Sequence, residues 1–128
     1  MKGVYVKKAT EVSNDSRRII TEIMNGEVGI RNLKVLEVKK GEGHQLLGNH
    51  WHPYAEVMYV IKGMSFYRMK NIDTGEIEDF YLVAGDVVYR SSRIVHAGWF
   101  DEGSMIIDAA EDAYVSADYN DIVEVILE

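Results

Sequence analysis

Glycine and polar turn residues cut this sequence into short β-branched and aromatic runs, a rhythm that suits strands and leaves little room for helices. Residues 33–38 mix apolar and polar side chains at strand length and end at Lys40-Gly41-Glu42-Gly43, a turn. Residues 56–61 form a second run closed by Lys62-Gly63, and 64–69 return from it as the other arm of a hairpin. Asn71 to Gly75 read as a turn and 77–83 as a strand, after which Ala84-Gly85-Asp86 turn the chain into 87–89. Residues 95–100 and 105–107 add two more strands, and 122–127 a last one. Residues 16–24 fit two helical turns, capped by Asp15 or Ser16 and stopped at Asn25-Gly26. The β-branched Ile19, Ile20 and Ile23 fit an edge strand equally well. The acidic segment 111–121 reads as a surface loop with at most one helical turn. Eight or more strands and hardly a helix predict an all-β fold, either a closed barrel or a double sheet.

No repeat, low-complexity tract or linker divides the chain, so its 128 residues are expected to form one domain. Cysteine is absent, which excludes disulfides, thiolate chemistry and a zinc ribbon. The formal charge is -7, and the basic residues occur as isolated pairs such as Lys7-Lys8, Arg17-Arg18 and Lys39-Lys40. Nucleic-acid binding needs a basic stripe, and none is present. No apolar stretch has the length of a membrane span, and Met1 to Tyr5 lack the apolar run of a signal peptide. The expectation is a cytoplasmic protein, neither membrane-bound nor nucleic-acid-binding, with a small-molecule partner.

The chain has four histidines, and two of them flank Trp51. Side chains two apart on a strand share a face, so His50 and His52 project together while Trp51 points the other way. Glu56 has their parity and joins them if the strand runs on past Pro53. Two imidazoles and a carboxylate form a donor set suited to a first-row divalent ion. His96, at the start of another apolar strand, can face them across a barrel interior and is the fourth candidate ligand.

These residues resemble the two motifs of the cupin superfamily. The first motif has His-x-His, three or four residues, Glu, six residues and Gly; here His50, His52, Glu56 and Gly63 match it. Its leading glycine is one place early, at Gly43. In the second motif Gly85 and His96 hold the spacing, with Ser91 in place of the proline, Arg93 in place of the glycine, and Phe100 in place of the asparagine. The resemblance covers residues 33–107, with extensions at both ends. It implies a double-stranded β-helix, the cupin jelly roll, often dimeric, with one divalent metal ion bound by His50, His52, Glu56 and His96. Iron, manganese, nickel, zinc and copper all suit these ligands.

The stretch Leu47-Gly48-Asn49-His50-Trp51-His52 looks like the Arg-Gly-Asn-His-x-His of cupins that modify sugar nucleotides, with leucine replacing the arginine. The resemblance extends distantly to Tyr114 to Tyr119. It implies an isomerase or epimerase of a sugar or sugar nucleotide, and in some such enzymes the histidines act as bases without a metal. An iron-dependent cupin dioxygenase and a non-catalytic small-molecule-binding cupin are the alternatives. By parity His44, Met58 and Phe100 share the ligands' side, and Tyr54 lies between two ligands, so these four are the candidate pocket residues. Arg68, Arg90 and Arg93 suit either a phosphate or, more commonly, a solvated surface. The strand at 122–127 suits pairing between subunits, which predicts a homodimer.

Overall fold

A computed structural model describes residues 1–112 and 122–128. It contains twelve strands and, among the described residues, no helix. They are β1 (Val4–Lys8), β2 (Thr10–Asn14), β3 (Ile19–Glu22), β4 (Asn32–Glu37), β5 (Gln45–Trp51) and β6 (Glu56–Lys62), followed by β7 (Met64–Asn71), β8 (Ile77–Val83), β9 (Asp86–Arg90), β10 (Ile94–Phe100), β11 (Met105–Ala110) and β12 (Ile122–Val123). Two five-stranded antiparallel sheets, ordered β1-β9-β6-β11-β4 and β12-β5-β10-β7-β8, hold most of them. The chain changes sheet at almost every step after β4, and only β7 and β8 are paired successive strands there. Inward side chains of both sheets therefore meet across one interior, the architecture of a jelly roll. The predicted all-β double-stranded fold is the observed one.

Alternation along the strands builds the core. On β7, Ser65, Tyr67, Met69 and Asn71 are buried, and the residues between them are more exposed. Met69 meets Met58 and Val60 from β6, Val88 from β9, Ile94 and Phe100 from β10, and Ile106 from β11 in one apolar cluster. A smaller cluster of Val28, Ala55, Val57 and Val87 lies under the N-terminal segment.

The strand of residues 77–83 matches β8 at both ends. Residues 16–24 resolve to the edge strand β3, paired only with β2. The β-branched isoleucines prevail over the helical spacing there. The segment Lys62-Gly63 is a corner between sheets and not a hairpin turn, because β6 pairs with β9 and β11 while β7 pairs with β8 and β10. The corner needs glycine: Gly63 has φ +101, and a Cβ there would lie 2.1 Å from Ser104 Oγ. Arg93 has φ 67, so it adopts the left-handed conformation its motif assigns to glycine. Its side chain pairs with Asp73 and lies over the Trp51 ring at 5.3 Å. The expected strand at 122–127 is regular only over Ile122–Val123, and it pairs with β5 of its own chain. Most of the acidic segment 111–121 lies outside the described residues, as does Tyr114 to Tyr119. No helix among the described residues is long and apolar enough to cross a membrane.

Candidate active site

The histidines do not come from one strand and its opposite. His50 is on β5, His52 follows the end of that strand, and Glu56 is the first residue of β6 in the other sheet. Between His52 and Glu56 the chain turns from one wall of the barrel to the other. His96 on β10 is the direct cross-strand neighbour of His50, not a group facing it across the interior. The ring centroids of His50 lie 4.7 Å from those of both His52 and His96, and His52 is 5.4 Å from His96.

A β-bulge brings these rings together. His96 is opposite His50 and Ala97 is opposite Gly48, so Asn49 is an extra residue on β5. Gly48 and Asn49 both have positive φ, and a Cβ on Gly48 would meet the His96 carbonyl oxygen at 2.4 Å. The extra residue inverts the alternation upstream of it. Leu47 therefore lines the cavity beside His50, whereas His44 packs edge-on against Trp99 and is not a lining residue. The parity that assigned His44 to the pocket fails at this bulge.

The rings open on a cavity of about 500 Å³, a size typical of small-molecule sites. Tyr54, Met58 and Phe100 line it as expected, and Tyr54 stacks on His52 at 5.0 Å. Its polar lining also includes Arg90, Asp108 and Tyr67, which strand parity did not assign to the pocket. Arg90 is 4% exposed, in contrast to the surface role that is commoner for arginine. Its Nη2 lies 3.1 Å from Glu56 Oε1 and 3.3 Å from Asp108 Oδ1, and its Nη1 donates to Tyr67 Oη at 3.3 Å. Inward parity with Val88 on β9 is the signal that could have placed it.

This cation organises the charges. Burial resists ionisation of Glu56, but Arg90, helped by His52 and Asp108, holds its carboxyl well below the usual range. Glu56 Oε1 is also 3.1 Å from His52 Nε2, which sets the carboxylate against the edge of that ring. Burial raises Asp108, its hydrogen bond to Glu56 and that residue's charge raise it further, and Arg90 opposes them; the group is pushed up to about 7. Burial and Arg90 hold His96 well below its ordinary value despite Glu56. His96 Nδ1 lies 3.2 Å from the Ile94 carbonyl, an acceptor, so the neutral ring carries its proton there and Nε2 is the basic atom. Burial likewise raises Tyr67, which stays a phenol.

A pH dependence follows. Asp108 binds its proton more tightly folded than unfolded, so its contribution is complete below the ordinary carboxylate range and is lost as pH rises through about 7. That amounts to about 1 kcal/mol between roughly pH 6.5 and 8. His96 acts oppositely, through a depressed pKa, and its contribution is lost as pH falls below the ordinary histidine range. Urea titrations should show wild-type stability declining on the alkaline side, and Asp108→Asn should flatten that decline.

Among the described residues, His50, His52 and His96 are the one group whose ligand atoms all lie within 4.8 Å of one another. Three imidazoles at that spacing fit a divalent ion. Glu56, the expected fourth ligand, stands outside the trio as the counter-charge of Arg90.

No family model matches the chain, and no curated protein matches it. Solved structures do. A TDP-fucose-3,4-ketoisomerase from Campylobacter jejuni superposes with TM-score 0.76 at 12% identity, covering 95% of this chain and 89% of that one. A 3,4-ketoisomerase from Thermoanaerobacterium thermosaccharolyticum, a double mutant in complex with TDP, gives 0.71 at 20% identity over 95% and 88%. A 3'-monoepimerase from Streptomyces bikiniensis in complex with dTDP-quinovose gives 0.74 at 15% identity over 94% and 69%. These likenesses, the two facing sheets and the placement of both histidine motifs agree: this chain has the cupin fold.

Proposed function

We propose that this protein is an isomerase or epimerase of a keto sugar carried on a nucleotide, working by proton transfer at the carbon beside the carbonyl. The observation that carries this reading is the meeting of three imidazoles in a cavity whose only buried cation is neutralised by carboxylates among the described residues. It is supported by the similar solved structures, which include 3,4-ketoisomerases and epimerases. His50 and His52, 4.7 Å apart, form the acid–base pair, and Glu56 orients His52. One imidazole takes the proton from the carbon, the bonding pair moves toward the carbonyl, and the other imidazole gives a proton to the carbonyl oxygen, so that an enediol forms. Return of a proton to the former carbonyl carbon, with loss of the neighbouring hydroxyl proton, moves the carbonyl by one position. Return to the original carbon from the other face inverts it. Tyr54 and Phe100 enclose the sugar, and the adjoining cavity of about 420 Å³ beyond Leu36 and Leu47 leaves room for the nucleotide.

The spacing of the trio favours a second reading, in which His50, His52 and His96 hold a divalent ion that polarises the carbonyl. In both readings the test is uptake of solvent deuterium into TDP-4-keto-6-deoxyglucose and related keto sugars, followed by mass spectrometry before and after chelation.

A homodimer remains part of the proposal, by a different surface. The 122–127 segment is engaged within its own chain, whereas edge strand β4 exposes Leu33 and Val35 and hairpin β2–β3 exposes Val12, Ile19 and Ile20. Free edges with apolar side chains recruit strands. Light scattering at micromolar concentration should give twice the chain mass, and a monomeric mass would reject the dimer.

A further inference from the structure

The bulge residue that directs His50 inward has its own partner on the outside of the barrel. Asn49 Oδ1 accepts from the backbone N–H groups of Ile126 (2.9 Å) and Leu127 (3.1 Å), and Asn49 Nδ2 donates to the Leu127 carbonyl at 2.9 Å. Its own carbonyl accepts from Glu124 N–H at 3.1 Å. The tail then continues across the outer face of the sheet. Lys70 pairs with Glu124, Arg68 Nη1 donates to the Ile126 carbonyl, and Trp99 Nε1 donates to the Glu128 carbonyl. Just before this, β12 pairs with β5 so that Val123 is opposite His50. The backbone of His50 is thus held by β10 on one side and by the C-terminal segment on the other.

We propose that Asn49 is a positioning residue that grips the C-terminal tail as a strap and thereby holds the bulge from which His50 enters the cavity. A positive φ is uncommon outside glycine, and asparagine is among the few residues that tolerate it. Glycine would satisfy the backbone here equally well, so the side chain's three hydrogen bonds are what asparagine adds. A bulge leaves its extra residue outside the ladder, and among the described residues the strap supplies the hydrogen bonds that Asn49 makes on its outward side. The catalytic part of this inference rests on the proposed isomerase reading; the mechanical part does not.

Two substitutions separate backbone from grip. Asn49→Gly keeps the positive φ and removes the strap contacts, and Asn49→Asp restores the acceptor for Ile126 and Leu127. Residue-resolved hydrogen exchange on the full chain should show Ile126, Leu127 and the β5 amides around His50 exchanging about tenfold faster in Asn49→Gly, with β4 and β11 unchanged. Asn49→Asp should recover only part of that protection, because its second oxygen cannot donate to the Leu127 carbonyl. In turnover of the keto sugar nucleotide, kcat should fall by about tenfold in Asn49→Gly with KM within about twofold, and should recover in part in Asn49→Asp. Unchanged β5 exchange in Asn49→Gly would overturn the proposal, as would a loss of protection spread evenly to β4 and β11. If the wild type turns over no keto sugar, the isomerase reading fails and the exchange data alone decide the strap.

Discussion

Replacing Arg90 with methionine is expected to destabilise the fold by about 3–5 kcal/mol, because it strands two carboxylates in the interior. Methionine fills much of the volume, so the loss is electrostatic and not a cavity effect. Glu56 is 2% exposed and Asp108 8%, and the guanidinium between them is what keeps Glu56 ionised. Without it, both carboxyls hold their protons more tightly, since each is buried and each repels the other's charge. The sign of the pH effect follows: the variant suffers most above neutrality, where keeping those protons costs most, and recovers as the pH falls. Denaturant titrations at about pH 5 and 8 read both quantities. A loss below about 1 kcal/mol at the higher pH would show that the ion pairs do not organise the interior.

The second large effect is catalytic. His50→Asn should lower the rate of proton exchange by about 10²–10⁴, the range for removing a general acid or base. His50 is partly exposed to the cavity and belongs to neither apolar cluster, so the fold should survive the change. The wild-type exchange pattern on β4 and β11 would confirm that. His52→Asn should have a similar effect on rate, and the double variant should lose little more than either single one if the two rings act as a pair. Independent losses that multiply would instead separate their roles.

Much of this arrangement is legible in the residues, and the failures have particular causes. Strand β8 is readable at both ends because Asn71 to Gly75 and Ala84-Gly85 bound it with turn chemistry. His50, His52 and His96 converge as their spacing implies. His44 fails because one bulge at Asn49 reverses the parity of everything before it, and strict alternation cannot register an unpaired residue. The hairpin expected at Gly63 fails because a corner between sheets and a turn within one share the same glycine. Glu56 has the parity and the motif spacing of a ligand, and its carboxylate lies 3.1 Å from Arg90 Nη2. Its partner Arg90 is distant in sequence and belongs to a residue type seldom buried, so nothing local announces their ion pair. The strand β1 carries no local signal for a related reason: its five residues VYVKK gain their partner only when β9 closes the sheet.

One measurement tests the central proposal, that imidazoles of this cupin-fold chain shuttle a proton at the carbon beside a sugar carbonyl. The protein, stripped by a chelator and confirmed metal-free by elemental analysis, is incubated in deuterium oxide with TDP-4-keto-6-deoxyglucose, and the sugar is analysed by NMR. Deuterium is expected to enter at the carbon next to the carbonyl at the rate seen before stripping, and His50→Asn is expected to slow that entry by about 10²–10⁴. Uptake that vanishes on stripping and returns with a divalent ion would contradict the metal-free acid–base pair. No uptake by any sample would contradict the sugar-nucleotide reading itself.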